Sequence, residues 1–195
     1  MTPLFDIRSA TASDAVELAE LIHVSTNRWY ATHGMGDIFS GDPLSTTSLF
    51  FEVYESLDPG RCLVAVDEDS GRLKGSCFYH PRDTHHSLGI MNVHPNYYGQ
   101  GVASTLLETI CRRADETAHA LRLVSSALNL DSFSLYTRAG FVPRALYQDM
   151  LIEDVSSIPP VKGSVRPATL SDLPGIVSLE MSVSGIRREG DWRYF

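Results

Sequence analysis

Two glycines, Gly99 and Gly101, lie between a short apolar run that ends at Val93 and a segment with the periodicity of an amphipathic helix. Pro95 follows the run, and a proline cannot continue the interior of a sheet ladder. The helical segment places its apolar residues on one face, at Val102, Ala103, Leu106, Leu107 and Ile110. A strand, a glycine turn and a helix direct backbone N–H groups and the positive end of the helix dipole at one point. This order predicts an anion site, most naturally for phosphate or pyrophosphate.

Two common nucleotide-binding patterns are excluded at this turn. A Walker loop needs Gly-Lys-Ser/Thr, and no such triplet follows Gly101. A dinucleotide fingerprint needs a third glycine, whereas the spacing here is G-x-G-x-A. On the glycines alone, a tight strand-to-helix turn without a ligand remains the alternative interpretation.

The composition indicates an acidic globular protein. The chain has 195 residues, 43% of them hydrophobic, and a formal net charge of −8 at pH 7. This length suits one generous domain, or one domain with an appendage, and the apolar content is ample for a core. The negative charge argues against a nucleic-acid partner, because such binding requires a basic face. It mildly favours a cationic amine as substrate.

Cysteine spacing and the chain start bear on metal binding and location. The three cysteines, Cys62, Cys77 and Cys111, are scattered and form no C-x-x-C pair, so we expect free thiols and no metal site. Free thiols are typical of a reducing compartment. The first residues show no basic region followed by an apolar run, and no segment reaches transmembrane length. We therefore expect a cytoplasmic protein without a membrane partner.

The elements that must position the turn can be read from the periodicity. Strands are predicted at 5–8, 62–66, 73–79, 88–93, 121–127, 141–142 and 145–152. Helices are predicted from about residue 15, then at 46–56, 99–119 and 131–139, while residues 27–43 show no clear period. The order β-α-α-β-β-β-α-β-α-β-β predicts an α/β fold of the mixed, α+β kind rather than a series of βαβ crossovers.

Two motifs and the element order resemble one enzyme family. The wording V-x-P-x-x-x-G-x-G-x-A at the turn is similar to the acetyl-CoA motif of the GNAT superfamily of N-acetyltransferases. The family pattern Q/R-x-x-G-x-G/A falls on residues 98–103, with Tyr98 where Gln or Arg usually stands. Asn129, Tyr136, Gly140 and Phe141 form N-x6-Y-x3-GF, an arrangement typical of the last helix of these enzymes. The resemblance covers about residues 5–154.

The resemblance implies a fold, a reaction and a set of binding residues. The fold would be a central mixed, mostly antiparallel sheet flanked by helices. The reaction would be transfer of an acetyl group from acetyl-CoA to a primary amine of a small molecule or peptide, by direct attack in a ternary complex. The residues implied for binding acetyl-CoA are Met91, Asn92, Val93, Tyr98, Gly99, Gln100, Gly101, Val102, Ala103, Ser104, Asn129 and Tyr136.

Individual roles also follow from the resemblance. Backbone groups of Met91 and Val93 would pair with the pantetheine arm, and the N–H groups of residues 98–104 would hold the pyrophosphate. Asn129 would add a contact near the pantetheine, and Asn92 could line the acceptor cleft from the opposite strand face. Tyr136 is expected to be the general acid toward the leaving thiolate, since a phenol titrates near 10. Packing against Phe133 and Phe141 is the alternative role of this tyrosine.

The general base is left open by the sequence. His86 is a candidate, because imidazole titrates near neutral pH and this residue lies just before a predicted strand. A solvated turn residue is the alternative interpretation. Other candidates share the ambiguity: His80, His85, His94, Glu52 and Glu55.

The start of the chain recurs near its end. The residues from Arg8 to Asp14 (RSATASD) are echoed from Arg166 to Asp172 (RPATLSD). The repeat resembles tandem GNAT proteins and predicts three regions: a GNAT acetyltransferase domain at 1–155, a linker at 156–162, and at 163–195 the strand and helix that begin a second, incomplete and apparently truncated repeat. The apolar face of this helix should dock on the first domain or on another copy of the chain, which would form a homodimer.

Two other classes of function remain open on the sequence. The fold could bind acyl-CoA as a sensor or interaction module without turnover. It could also be the structural half of a degenerate tandem protein. Binding of acetyl-CoA and turnover with amines distinguish these alternatives from an enzyme.

Overall fold

The computed structural model describes residues 5–117, 119–148, 150, 152, 154, 156, 158–160 and 163–195. Within these residues, five strands form one sheet in chain order: β1 Phe5–Ser9, β2 Cys62–Asp67, β3 Leu73–Pro81, β4 His85–Val93 and β5 Ala120–Arg122. The first four strands are antiparallel to their neighbours, and β5 runs parallel to β4. The predicted fold class, a mixed and mostly antiparallel sheet flanked by helices, is confirmed.

In the described part of the chain, six α-helices accompany the sheet: α1 Ala15–Thr32, α2 Pro43–Leu57, α3 Val102–Glu116, α4 Leu130–Arg138, α5 Leu173–Ser184 and α6 Glu189–Tyr194. Side chains alternate along each strand, so the sheet has a core on both faces. On one face, α1 and α2 bury residues such as Leu18 and Phe51 against Val64 and Phe78. On the other face, α3 packs its apolar stripe against Leu63, Cys77 and Leu88, and α4 adds partly buried side chains.

An extra residue interrupts the pairing of β4 with β3. Cys77 lies opposite Met91, and Tyr79 lies opposite Leu88. Between these two pairs, β4 advances three residues while β3 advances two, so β4 contains one extra residue. Such a bulge bends a strand and ends regular pairing. Gly89 lies within it, and a Cβ there would come 2.8 Å from Nε2 of His80. Glycine is required at this position because the histidine ring approaches the backbone so closely.

The two strands expected to close the sheet are not formed. Residues 141–148 adopt no regular structure, and Leu146 is 92% exposed. The prediction also covered residues 149 and 151, which lie outside the described residues. β5 itself is shorter than the expected 121–127 and ends at Arg122. A strand is stabilised by its neighbour's ladder and cross-strand pairs, and β5 offers no edge beyond Arg122 for the closing strands to join.

The first helix is longer than its pattern indicated. Residues 27–32 were expected to belong to an irregular segment, but α1 continues to Thr32 and only residues 33–42 connect it to α2. Asn27 is buried in α1, where Nδ2 donates to the Phe39 carbonyl at 2.7 Å and Oδ1 accepts from its N–H at 3.0 Å. One amide side chain thus holds the connection against the helix, a contact that periodicity does not reveal.

The repeated start of the chain has the same local structure in both copies. Thr11 and Thr169 each form a capping box with the aspartate three residues later, and Arg8 and Arg166 each bind that aspartate through two hydrogen bonds. The copies differ before the cap. The first begins with β1, whereas the strand expected after Gly163 is not formed and residues 163–169 are irregular. β1 pairs with β2, and no described strand offers the second copy an equivalent edge.

Candidate active site

A wedge opens between β4 and β5. The two strands pair only over His85–Ser87 and Ala120–Arg122, and β4 then continues to Val93 without β5 beside it. Over residues 88–93, the backbone groups on this edge have no ladder partner in the described part of the chain. An unpaired strand edge binds extended ligands that carry amides, because they can add to it as another strand would.

The glycine turn lies at the wide end of the wedge. Gly99 and Gly101 have φ values of 75° and 83°, in the left-handed region that favours glycine. The first intrahelical bond of α3 runs from Thr105 N to Gly101 O, so the N–H groups of the three residues before Thr105 have no intrahelical acceptor. No side chain caps α3 and no acidic residue lies in its first turn. This turn fits a phosphate or pyrophosphate group.

Tyr98, at the family's Gln or Arg position, is 54% exposed beside the turn. Burial of part of its ring raises the pKa of Tyr98, and the Arg28 guanidinium opposes this rise, which places a cation of α1 near the turn. Gln100 donates from Nε2 to the Asn96 carbonyl at 3.3 Å and so stabilises the turn itself.

Three successive β4 residues divide between the two faces of the sheet. Met91 and Val93 pack their side chains into the core on the α3 face, which leaves their backbone groups on the wedge edge. Asn92 points to the other face, where Nδ2 donates to Ser25 Oγ of α1 at 2.7 Å. Its Oδ1 is buried and has no hydrogen-bond partner among the described residues. The Asn92 side chain thus links β4 to α1.

The second motif lies on α4. Asn129 caps this helix, with Oδ1 accepting from Ser132 N at 3.0 Å, and its amide nitrogen is not used in the cap. Tyr136 packs on the α3-face core with its ring 5.8 Å from that of Phe141. Burial, together with nearby Cys77, outweighs the hydrogen bond with Ser132 and raises the pKa of Tyr136 to about 12. The phenol is therefore protonated at neutral pH.

The structure places His86 away from the glycine turn. Its ring lies on the α3 face with Nε2 3.0 Å from Thr117 Oγ1, just past the carboxyl end of α3. The 15-residue helix separates this end from the turn by about 22 Å. Burial, with smaller contributions from His119 and Arg61, lowers the pKa of His86. Its neighbour His85 is also buried and bonds Thr84 and Ser87.

A histidine–aspartate pair lies instead at the narrow end of the wedge. Nδ1 of His80 is 2.7 Å from Asp58 Oδ2, and its ring packs edge-on against Tyr54 at 4.7 Å. Nε2 lies against the backbone of Gly89, two residues beyond the last pair of β4 with β5. A carboxylate on one ring nitrogen fixes the ring orientation and leaves the other nitrogen for proton transfer.

The carboxylate of this pair is ionised. Burial raises the pKa of Asp58, but hydrogen bonds from His80 and Arg82 outweigh burial and lower it below its ordinary value. Arg82 binds both carboxylate oxygens, at 2.7 and 3.0 Å. From the sequence, His80 is one candidate base among several, and Asp58 is not a candidate, because Asp-Pro-Gly after a helix signals only a turn. No local signal connects residues that α2 and β3 bring together.

Of the remaining candidate bases, two accept structural hydrogen bonds and one accepts none in the described part of the chain. His94 Nδ1 accepts from Asn96 N at 3.2 Å, and Glu55 Oε1 accepts from Gly60 N at 2.7 Å. Glu52 lies on α2 without a hydrogen bond in the described part of the chain. No group of three His, Cys, Asp or Glu side chains that could hold a metal ion is present among the described residues. Within the same residues, no helix is both long and apolar enough to cross a membrane.

Solved structures share this fold. A putative acetyltransferase from Pyrococcus horikoshii is 17% identical with a TM-score of 0.65, over 97% of this chain and 60% of that protein. The present chain therefore spans about 60% of the length of that relative. Ard1 from Thermoplasma volcanium is 17% identical with a TM-score of 0.58, over 73% of this chain and 85% of that one. The ribosomal-protein-S18-alanine N-acetyltransferase from Escherichia coli is 17% identical with a TM-score of 0.55, over 72% and 79% of the two chains.

The sequence itself assigns the family. No curated protein matches the chain. Residues 24–141 do match the sequence model of the Acetyltransferase (GNAT) family. The match runs from α1 to Phe141, more than half of the chain, and it includes the wedge, the glycine turn and Tyr136. The chain is thus a member of the GNAT acetyltransferase family, whose enzymes transfer an acyl group from acyl-CoA.

Proposed function

We propose that this protein is an N-acetyltransferase that moves an acetyl group from acetyl-CoA to a primary amine in a ternary complex. The observation that carries the proposal is the unpaired β4 edge over residues 88–93, which leads from the His80–Asp58 pair to the glycine turn. The strand edge can bind an extended chain that carries amides, and the glycine turn can bind a pyrophosphate. Acetyl-CoA contains both groups in one molecule.

The chain's own groups would hold acetyl-CoA as follows. N–H groups of residues 99–104 would bind the pyrophosphate, with Tyr98 and Gln100 at the rim. Backbone groups of Met91 and Val93 would pair with the amides of the pantetheine arm, and the free amide nitrogen of Asn129 would donate from α4. The Asn92 side chain, by contrast, would not contact the cosubstrate, since it donates to Ser25 on the opposite face of the sheet.

The proposed reaction needs one proton donor and one acceptor. The neutral amine forms a C–N bond to the thioester carbonyl carbon, the C–S bond breaks, and the sulfur takes a proton from Tyr136. The amine loses a proton to Nε2 of His80, directly or through a water. These two residues lie on opposite faces of β4, since Tyr136 packs on the α3 face and His80 on the α2 face. An acid and a base on opposite sides suit attack and departure on opposite sides of one carbonyl.

We favour His80 over His86 as the base because of its partner and position. Asp58 orients His80 and would stabilise the imidazolium that forms. His86 has Thr117 as its neighbour and no carboxylate on either ring nitrogen in the described residues. His86 stays the alternative base.

Domain organisation is part of the proposal. We propose a GNAT domain at 1–155, a linker at 156–162 and the start of a second, tandem-type unit at 163–195. The matching capping boxes support the duplication, since residues of both copies adopt nearly the same φ and ψ at the cap. The three cysteines are free thiols, which suits a cytoplasmic enzyme.

The test combines binding with turnover on the full chain. Calorimetry measures acetyl-CoA binding, and release of free CoA thiol measures transfer to a panel of small amines and peptides. Binding with amine-dependent thiol release is the expected result. Binding without release on any amine would favour a sensor, and absence of both would favour a structural module.

A further inference from the structure

A second concave site lies at the carboxyl end of α3, away from the wedge. Its cavity of about 540 Å³ is lined by Arg61 just before β2, by the β3–β4 hairpin and by the end of α3. The lining residues that matter here are Arg61, Tyr79, His86, Arg113 and Thr117. The length of α3, about 22 Å, separates this cavity from the glycine turn.

Two guanidinium groups converge in this cavity without a carboxylate between them. Arg61 donates from Nη1 to the Tyr79 hydroxyl at 3.0 Å, and Arg113 donates from Nη1 to the same oxygen at 2.5 Å. Neither arginine forms an ion pair within the described residues, whereas the neighbouring Arg82 binds both Asp58 and Asp191. Two like charges on one phenol oxygen repel each other unless an anion joins them.

The acidic residues at the cavity do not supply that anion. Asp83 pairs with Arg187 at 3.3 Å. Glu116 forms no ion pair with Arg61 or Arg113, although it follows Arg113 by one helical turn. The positive charge of the two arginines is therefore not neutralised by the described part of the chain.

The phenol between the two arginines has a proton to donate. Tyr79 is only 1% exposed, and its hydroxyl oxygen accepts both guanidinium bonds. No acceptor for its own O–H is found among the described residues. Buried hydroxyl groups ordinarily find such a partner, so a donor is available beside the two cations.

A buried histidine beside Tyr79 adds an unpartnered polar atom. His86 is 4% exposed, and its ring stacks 6.5 Å from that of Tyr79. The Thr117 hydroxyl donates to the Ala114 carbonyl at 2.9 Å, so it accepts from Nε2 of His86 at 3.0 Å. The other ring nitrogen, Nδ1, is buried and has no hydrogen-bond partner in the described residues. After the Tyr79 O–H, this is the second polar group of the cavity without a hydrogen-bond partner among the described residues.

We propose that this cavity is a second anion site, which binds a tetrahedral phosphate group through Arg61, Arg113 and the Tyr79 O–H. The planar fork of arginine matches phosphate oxygens, and two such forks with a phenol supply several charge-assisted hydrogen bonds. The phosphate is either inorganic phosphate or the terminal group of a phosphomonoester. The site is separate from the proposed acetyl-transfer site, because neither His80, Asp58 nor Tyr136 lines it and no residue of the glycine turn does.

The primary experiment is calorimetric titration of the full chain with inorganic phosphate in a chloride buffer. Arg113→Gln and, separately, Arg61→Gln should each weaken phosphate binding about tenfold or more. Arg112→Gln is the matched control, since it removes the same charge one residue away from an exposed position outside the cavity. Thermal unfolding without phosphate checks that each variant is folded, and phosphate should raise the midpoint of wild type and control only.

A parallel titration with glycerol 1-phosphate distinguishes the two sources of the phosphate group. Tighter binding than inorganic phosphate, still dependent on Arg113, assigns the site to a phosphomonoester, and weaker or equal binding assigns it to the free ion. Absence of binding to wild type at about 10 mM of either probe would refute the site. So would binding that survives both Arg113→Gln and Arg61→Gln but is lost when Ser104→Glu places a carboxylate at the glycine turn.

Discussion

Tyr136 is a phenol whose surroundings keep it protonated. Its pKa of about 12 keeps the proton on the phenol at neutral pH, so Tyr136 can meet the leaving sulfur as a hydrogen-bond donor. Tyr136→Phe keeps the packing against Phe141 and removes the proton. We expect kcat to fall about 100-fold while acetyl-CoA affinity changes little. Steady-state kinetics and calorimetry measure the two effects, with exposed Tyr194→Phe as control; equal losses in both variants would contradict the assignment.

His80 and Asp58 predict a graded loss of turnover. His80→Gln removes the proposed base and should lower kcat about 100-fold. Asp58→Asn keeps the imidazole but removes the carboxylate that orients it and stabilises the imidazolium, so kcat should fall by a smaller factor.

The control for these variants is His33→Gln, which changes an exposed histidine at the end of α1 and should leave kcat unchanged. His86→Gln provides the opposing test. A fall in kcat of about 100-fold in His86→Gln, with little change in His80→Gln, would assign the base to His86 instead.

At the scale of elements, the glycine turn works through the start of α3. That helix begins without an acidic residue, and its first N–H groups lack acceptors. Ser104→Glu would place a carboxylate where the pyrophosphate binds, which should stabilise the helix but weaken acetyl-CoA binding about tenfold or more. Thr109→Glu puts the same charge further along α3 and serves as control. Calorimetry gives both affinities, and an unchanged affinity in Ser104→Glu would argue against pyrophosphate at this turn.

The elements also show what the sequence could and could not predict. The turn at Gly99 and Gly101 and the helix after it were predictable, because their signals are local: glycine conformations and a 3.6-residue period. The prediction of closing strands was wrong over the described residues 141–148, because an apolar alternating run becomes a strand only beside an available edge. His80 and Asp58 meet through tertiary structure, so residue types could nominate the histidine but not its partner.

The whole molecule contains two copies of one helix start in different surroundings. Asp14 is only 8% exposed. The hydrogen bonds from Arg8 lower the pKa of its carboxyl, and those from Thr11 add to this effect. Together they outweigh burial, which raises the pKa, and bring it to about 2. Asp172 has the same partners in the second copy but lies in a more exposed setting, and its pKa is also lowered. A depressed folded-state pKa means that the carboxylate stabilises the fold above about pH 4 and that this contribution disappears as pH falls toward 2.

Asp14→Asn should therefore lower the free energy of unfolding by about 2 kcal/mol at pH 7. The difference from wild type should shrink between pH 4 and pH 2, where Asp14 of the wild type becomes protonated. Asp172→Asn, the matched change in the second copy, should have a smaller effect. Urea denaturation across this pH range measures both variants, and equal effects would mean that burial does not distinguish the two copies.

The contact of the chain's last helix with the first domain is made by charge rather than by the apolar face of α5. Asp191 of α6 accepts from Arg82 Nη2 at 2.5 Å and from Arg82 Nε at 3.1 Å. The Arg82 side chain is only 11% exposed and that of Asp191 only 19%. The start of α5 is covered, since Leu173 is buried, but the helix is open further along, where Leu179 and Val183 are exposed. Arg82 also binds Asp58, so this contact connects α6 to the carboxylate that orients His80.

A double-mutant cycle tests whether this contact stabilises the molecule. Arg82→Gln and Asp191→Asn, alone and combined, should give a coupling energy of at least about 1 kcal/mol in urea denaturation. The reason is that a largely buried ion pair with two hydrogen bonds contributes more to stability than an exposed pair does. Within α6, the exposed Arg193–Glu189 pair is the control, and its coupling should be clearly smaller because solvent screens an exposed ion pair. Equal coupling in the two cycles would mean that α6 does not dock through Arg82. A larger coupling at Arg82, with a lower kcat in Asp191→Asn, would show that the end of the chain supports the His80–Asp58 pair.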